Sequence, residues 1–133
     1  DKNGYCKYEA RGSLVISLDY EMKPTLIEAN LEITDNCGKC AIMKGPLVYC
    51  MEQIDNGKGL RDITIPVTCE FKEGYDKDLC VPTLEVNGYR RRSSGKLYQK
   101  FTGERVDIKA KLIPYFAILN RGTTEMQIWH NVR

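Results

Sequence analysis

Apolar residues recur at every second position along most of this chain, and that period limits what it can fold into. Between positions 105 and 112, Val106, Ile108, Ala110 and Leu112 alternate with Arg105, Asp107, Lys109 and Lys111. Successive side chains of an extended strand point to opposite faces, so the pattern predicts a half-buried antiparallel strand. Residues 13–22 read the same way: Leu14, Ile16, Leu18, Tyr20 and Met22 alternate with Ser13, Ser17, Asp19 and Glu21, and only Val15 breaks the rule. Lys23-Pro24 should end that strand, because proline donates nothing to a ladder. Residues 25–33, 63–71 and 125–132 predict further strands. Residues 39–44 and 47–52, split by Gly45-Pro46, are apolar without clean alternation, which predicts strands covered on both faces. A short strand at 84–86 meets Asn87-Gly88, a tight-turn dipeptide. Residues 72–78 and 89–95 read as irregular or looped. Apolar residues nowhere keep helical spacing for three turns. About nine short strands at regular intervals predict an all-β fold, an antiparallel β-sandwich of jelly-roll-like form.

With 133 residues, 42% hydrophobic and 29% charged, the chain holds one folded domain. Its net charge of +2 gives no surface able to track phosphates, so nucleic acid is not an expected partner. The longest apolar run, residues 112–119, carries Pro114 and falls far short of the roughly 20 residues that span a bilayer. No membrane association is expected. The sequence opens on Asp1 in mid-pattern and shows no signal peptide, so it reads as a fragment or a processed piece; a cytoplasmic location is expected, but not on the strength of this end. Residues 1–22 are then candidates for the tail of a preceding sandwich domain. Six cysteines stand at 6, 37, 40, 50, 69 and 80. Cys40, Cys50 and Cys69 sit in apolar stretches, where cysteine serves as a small hydrophobe, so reduced buried thiols are expected, with some bridging as the alternative.

Each potential site has a plainer reading beside it. Cys37-Gly38-Lys39-Cys40 has the spacing of a redox dithiol or half a zinc site, but it lies in a turn running into a strand and lacks a second ligand pair. His130, the single histidine, is a candidate general base without an orienting partner. Glu52 and Asp55, with Glu125, could act as the paired acids of sugar hydrolysis, which stand about 5 to 10 Å apart. Acids at strand ends also simply meet water. Arg90-Arg91-Arg92 could grip an anion, but on a near-neutral domain it reads as an exposed loop. Tyr115, Phe116 and Trp129 could stack on sugars or fill a core.

Two phrases are less generic: GKCAIMKGPLVYCMEQIDN at 38–56 and LIPYFAILNRGTTEMQIW at 112–129. The first resembles a phrase of the β-L-arabinofuranosidase family of glycoside hydrolases, family 127, at Gly38, Lys39, Ala41, Gly45, Pro46, Leu47, Val48, Tyr49, Cys50, Glu52, Asp55 and Asn56. The second resembles a later phrase at Ile113, Pro114, Tyr115, Asn120, Arg121, Gly122, Met126 and Trp129, with Ile128 where valine is usual. Asn3-Gly4-Tyr5 and the strand ending in Met22 resemble the stretch before them. The resemblance implies a non-catalytic C-terminal β-sandwich following an α/α barrel. In that barrel a zinc-held cysteine is the nucleophile, a glutamate is the acid/base, and the zinc ligands include adjacent cysteines. This chain has no Cys-Cys dipeptide and no Glu-x-Cys pair, so Cys50 inherits neither role, and neither a catalytic residue nor a cofactor is expected here. The expected partners are the upstream barrel of the same polypeptide and a second copy in a homodimer. Tyr115, Asn120, Arg121 and Trp129 are the candidates for domain docking or sugar contact, with Gly122 in a left-handed turn and Arg121 reaching a partner domain. The alternatives are a carbohydrate-binding module using exposed aromatics, or a metal or thiol protein built on Cys37 and Cys40.

Overall fold

The computed structural model describes residues 4–92 and 95–133. Asn3 of the resembling stretch, and Ser93-Ser94 of the predicted loop, lie outside them. The fold is nearly all β, as expected: among the described residues there are nine strands in order, β1 (Pro24–Glu28), β2 (Lys39–Lys44), β3 (Leu47–Glu52), β4 (Ile63–Ile65), β5 (Phe71–Asp76), β6 (Val81–Arg91), β7 (Arg105–Pro114), β8 (Met126–Gln127) and β9 (His130–Val132). One helical turn, α1 (Gln53–Asn56), follows β3, and a 3-10 turn, Tyr115–Ala117, follows β7.

Strand pairing runs β1-β2-β9-β4-β6-β7-β3-β8, with β5 added on β6 and a further β2–β3 pairing. That last contact joins β3 back to β2. The strands β2, β9, β4, β6, β7 and β3 therefore form a closed ring of hydrogen bonds, a closure open to barrels and to sandwiches whose corner strands serve both layers. All ladders are antiparallel except β4–β9, where Thr64 faces Asn131 and Ile65 faces Val132 in parallel.

The main core joins Ile42, Tyr49, Met51, Leu60, Ile63, Ile65, Leu84, Val86, Ala110 and Leu112. A smaller cluster of Cys50, Val81, Ile113 and Ala117 lies on the other face of β3 and β7. Tyr49 and Met51 enter one cluster and Cys50 the other, so β3 is covered on both sides and its sequence does not alternate.

Several local expectations are corrected. Residues 13–22 form no strand: they pair with no neighbour among the described residues, and Leu14, Ile16, Leu18 and Tyr20 stay exposed. The predicted strand 25–33 ends at Glu28, and the one over 63–71 stops at Ile65, where Pro66 removes a donor. Residues 72–78 are largely strand, because Asp76 accepts hydrogen bonds from the main-chain N–H groups of Asp78 and Leu79, both 3.0 Å, and folds the β5–β6 hairpin. Asn87-Gly88 is not a turn but the middle of β6, where Gly88 allows close approach to the Thr64 carbonyl. Arg90 and Arg91 continue that strand and do not loop out. The strand over 125–132 is split into β8 and β9.

Candidate functional site

The first matching phrase ends in Glu52, Asp55 and Asn56, and the fold gives each a fixed partner. Glu52 closes β3 with its side chain 1% exposed. Asp55 and Asn56 lie on α1, directly after it. The loop after Tyr115–Ala117 brings Arg121 over both carboxylates. Its Nη2 donates to Glu52 Oε2 at 2.7 Å and to Asp55 Oδ2, and its Nη1 donates to Asp55 Oδ1 at 3.0 Å. The other oxygen of Glu52 accepts from the Leu119 main-chain N–H at 2.9 Å. Leu119 takes a left-handed φ of 63°, and Gly122 follows at 106°, as expected for that glycine.

The network continues through Lys111 on β7, whose Nζ donates to Asp55 Oδ1 at 3.1 Å and to Asp76 Oδ2 at 2.7 Å. Asn56 mimics a strand partner: its Nδ2 donates to Lys111 O and its Oδ1 accepts from Lys111 N, both at 2.8 Å. Its own carbonyl accepts from Arg90 Nη2 at 2.6 Å, and Arg90 Nη1 donates to the carbonyls of Lys58 and Gly59. Arg90 is therefore a clasp on the loop after α1, not part of an anion grip.

Electrostatics follow the geometry. Burial alone would raise the Asp55 pKa, but hydrogen bonds from Arg121 and Lys111 outweigh it and hold the carboxyl below its ordinary range. The Lys111 hydrogen bond, helped by the Leu79 N–H, lowers Asp76 to about 2. Arg121 is held more firmly protonated than usual by its bond to Asp55. Arg121 thus engages Glu52 and Asp55 together, and both carboxylates are occupied by partners within the domain. Glu125 does not complete a pair: its side chain is exposed, and its carbonyl accepts from the Gln53 N–H at 2.9 Å.

The remaining candidates are equally placed. Cys50 is fully buried, and burial with the nearby Glu52 pushes its thiol up to about 12, the reverse of an activated nucleophile. Cys40 and Cys69 are half-buried with thiols raised by burial, whereas Cys6, Cys37 and Cys80 are exposed; all six cysteines are free. Cys37-Gly38 forms the predicted turn into β2. His130 is 1% exposed opposite Cys40, and burial lowers it to about 4, so it stays neutral and out of reach of any substrate. Among the described residues no group of three or more His, Cys, Asp or Glu could hold a metal ion. No helix of the described residues is long and apolar enough to cross a membrane.

Tyr115, Phe116, Leu119 and Asn120 are exposed around the Arg121 clamp, and Trp129 is half-buried with its carbonyl accepting from Gln127 Nε2 at 2.7 Å. The structure brings Tyr115, Asn120 and Arg121 onto one loop. Sequence reading named Glu52, Asp55 and Arg121 separately and missed their union. Lys111, read only as a solvent-facing residue of a strand, gave no signal of its role.

Comparison with known proteins places this arrangement. Residues 24–131 match the model of the glycoside hydrolase family 127 C-terminal domain. The chain is 30% identical over 135 residues to a non-reducing end β-L-arabinofuranosidase of Bifidobacterium longum subsp. longum, covering 94% of this chain and 20% of that protein. Its fold matches a solved β-L-arabinofuranosidase from Geobacillus stearothermophilus T6 with a TM-score of 0.79 and 31% identity, over 84% of this chain and 18% of that one. A second solved β-arabinofuranosidase of the same family matches with a TM-score of 0.71 and 27% identity, over 84% of this chain and 17% of that one. The chain spans about a fifth of the length of these relatives.

Proposed function

The chain belongs to the glycoside hydrolase family 127 C-terminal domain family, and from that membership we propose that it is the non-catalytic C-terminal accessory domain of a hydrolase of β-L-arabinofuranosides. Bond cleavage, and the zinc that serves it, belong to a barrel domain upstream in the same polypeptide. The observation that carries this reading is the state of Glu52 and Asp55. Both acids of the matched phrase are bonded to Arg121 within this domain, and so hold a loop in place. The inert Cys50 and the buried His130 agree with it.

The product of the clamp is a fixed apolar ledge. Tyr115, Phe116 and Leu119 are 46%, 66% and 49% exposed on a loop whose main chain is tied to Glu52. Rigid exposed aromatics suit a domain interface, because little side-chain freedom is lost when they are covered. The ledge docks the domain on the barrel.

Activity of the full-length protein and of this chain alone on a chromogenic β-L-arabinofuranoside tests the proposal. Full-length protein should turn the substrate over and the chain alone should not; turnover by the chain alone refutes it. Phe116→Glu in the full-length protein should separate the melting of this domain from that of the rest. Unchanged calorimetric traces remove the ledge from the interface, and a change in mass by light scattering assigns it to a second copy instead.

A further inference from the structure

The chain's net charge of +2 conceals a local excess. Where the β6–β7 hairpin meets the end of β9, a groove of about 840 Å³ opens to solvent, within the roughly 300–1,000 Å³ of known ligand clefts. Five cationic side chains line it, Arg91, Arg92, Lys96, Arg105 and Arg133, against two acids, Asp62 and Glu104. Asp62 stands 3.9 Å from Arg91 with both side chains exposed, a loose pair of little worth. Arg92 and Arg133 take part in no ion pair among the described residues. The backbone fixes where these cations stand. The Arg92 N–H donates to the Glu104 carbonyl at 3.1 Å, and Arg105 opens β7. Arg133 is bonded twice at 3.2 Å, its N–H donating to Ile65 O and its carbonyl accepting from the Val67 N–H. The Arg105 guanidinium lies 4.6 Å from the centre of the Tyr89 ring, which restrains it beside the groove. Phe101, 81% exposed, brings a second ring to the same lining. The groove is also remote from the ledge: Arg105 and Tyr115 flank the ten residues of β7, a span of about 30 Å.

We propose that this groove binds an acidic oligosaccharide, a chain of uronate sugars, as a second site that holds polymeric substrate near the catalytic barrel. A guanidinium matches a carboxylate with two N–H groups on two oxygens, so Arg92, Arg105 and Arg133 seat carboxylates of the chain. Phe101 offers a face to the C–H side of a sugar ring, and Gln99 and Thr102, also in the lining, meet hydroxyls. A free phosphate uses the charges and leaves Phe101 idle. A neutral sugar uses Phe101 and leaves the charges unanswered. A uronate chain uses both. With Tyr115 and Phe116 seated on the barrel, the opposite end of β7 stays open, and a long glycan can reach it from solution.

The inference rests on the accessory role proposed above, and its test is binding rather than catalysis. Isothermal titration calorimetry of the full-length protein with trigalacturonate should show saturable binding. Arg92→Gln should weaken that binding about tenfold, the scale of one lost charge-assisted hydrogen bond. Galactotriose, which is neutral, and inorganic phosphate should each bind about tenfold or more weakly than trigalacturonate. Absence of trigalacturonate binding overturns the proposal, and so does equal binding by Arg92→Gln, which places the sugar elsewhere. Phosphate as tight as trigalacturonate makes the groove a plain anion site and overturns the sugar assignment. A smaller mass of Arg92→Gln by light scattering assigns the groove to a second copy and overturns it as well. If Arg92→Gln melts early, Phe101→Ala, exposed and outside any strand, decides by the same comparison. An active hydrolase that ignores trigalacturonate defeats this inference alone. A protein that binds it in the groove but cleaves no arabinofuranoside defeats only the proposed function.

Discussion

Replacing Arg121 by alanine should be among the most damaging single changes to this domain. Arg121 is 22% exposed, but the carboxylates it holds are nearly dry, at 1% for Glu52 and 12% for Asp55. The substitution leaves Glu52 with the Leu119 N–H and leaves Asp55 with Lys111. Removing one member of a buried ion pair costs about 3–5 kcal/mol, because the other is left as an uncompensated charge. Partial exposure of the guanidinium puts the expected loss at the lower end, about 3 kcal/mol. For a domain of this size that is a melting-temperature drop of roughly 10 °C. Urea titration followed through Trp129, the single tryptophan, reads the change. Because the folded Asp55 pKa is depressed, its contribution is present above the unfolded value of about 3.9 and is lost as pH falls through the folded one. The gap between the two proteins should therefore narrow below about pH 4. Arg121→Lys keeps the charge without the planar fork and should fall between them. A loss under about 0.5 kcal/mol at pH 7 would show that the clamp contributes no more than an exposed salt bridge and would refute the reasoning.

His130 is held neutral by burial, with a folded pKa of about 4 against an unfolded 6.5. The unfolded chain binds the extra proton between those values, so stability should fall by a few kcal/mol as pH drops through that window, and His130→Leu should flatten the slope in pH-dependent urea titrations. At pH 8, iodoacetamide should label Cys6, Cys37 and Cys80 within minutes and leave Cys50 untouched until urea unfolds the chain; mass spectrometry of the peptides reads both. Gly88→Ala would bring a Cβ to 2.7 Å from the Thr64 carbonyl oxygen, a backbone atom that cannot rotate away. It should cost about 1–3 kcal/mol, read by urea titration against the unaltered protein.

The strands whose two faces differ were the legible ones. The alternation at 105–112 became β7, and the mixed apolar run at 47–52 became the doubly covered β3. Alternation failed where it had no sheet to join, at residues 13–22, because periodicity reports which faces differ and not what covers them. It also failed at Asn87-Gly88, where a favoured turn pair was overruled by pairing with Lys109 and Ile108 of β7. The site was legible in pieces. Glu52, Asp55 and Arg121 stood in two phrases that could be named, but 69 positions separate Glu52 from Arg121, and no local rule joins them. Arg90 illustrates the same limit: its hydrogen bonds run to main-chain carbonyls more than 30 positions away, and carbonyls have no signature in a sequence.

Strand β9, residues His130–Val132, lies between β2 and β4. In a polypeptide that leaves the ribosome from its N-terminal end, those three residues emerge after the other eight strands described for this domain. The circle cannot shut while the nascent chain is still growing through them, so assembly is delayed until translation has passed His130. A message truncated just before that codon would yield a product with two raw strand edges facing water, an invitation to clumping that cellular proteases would meet first.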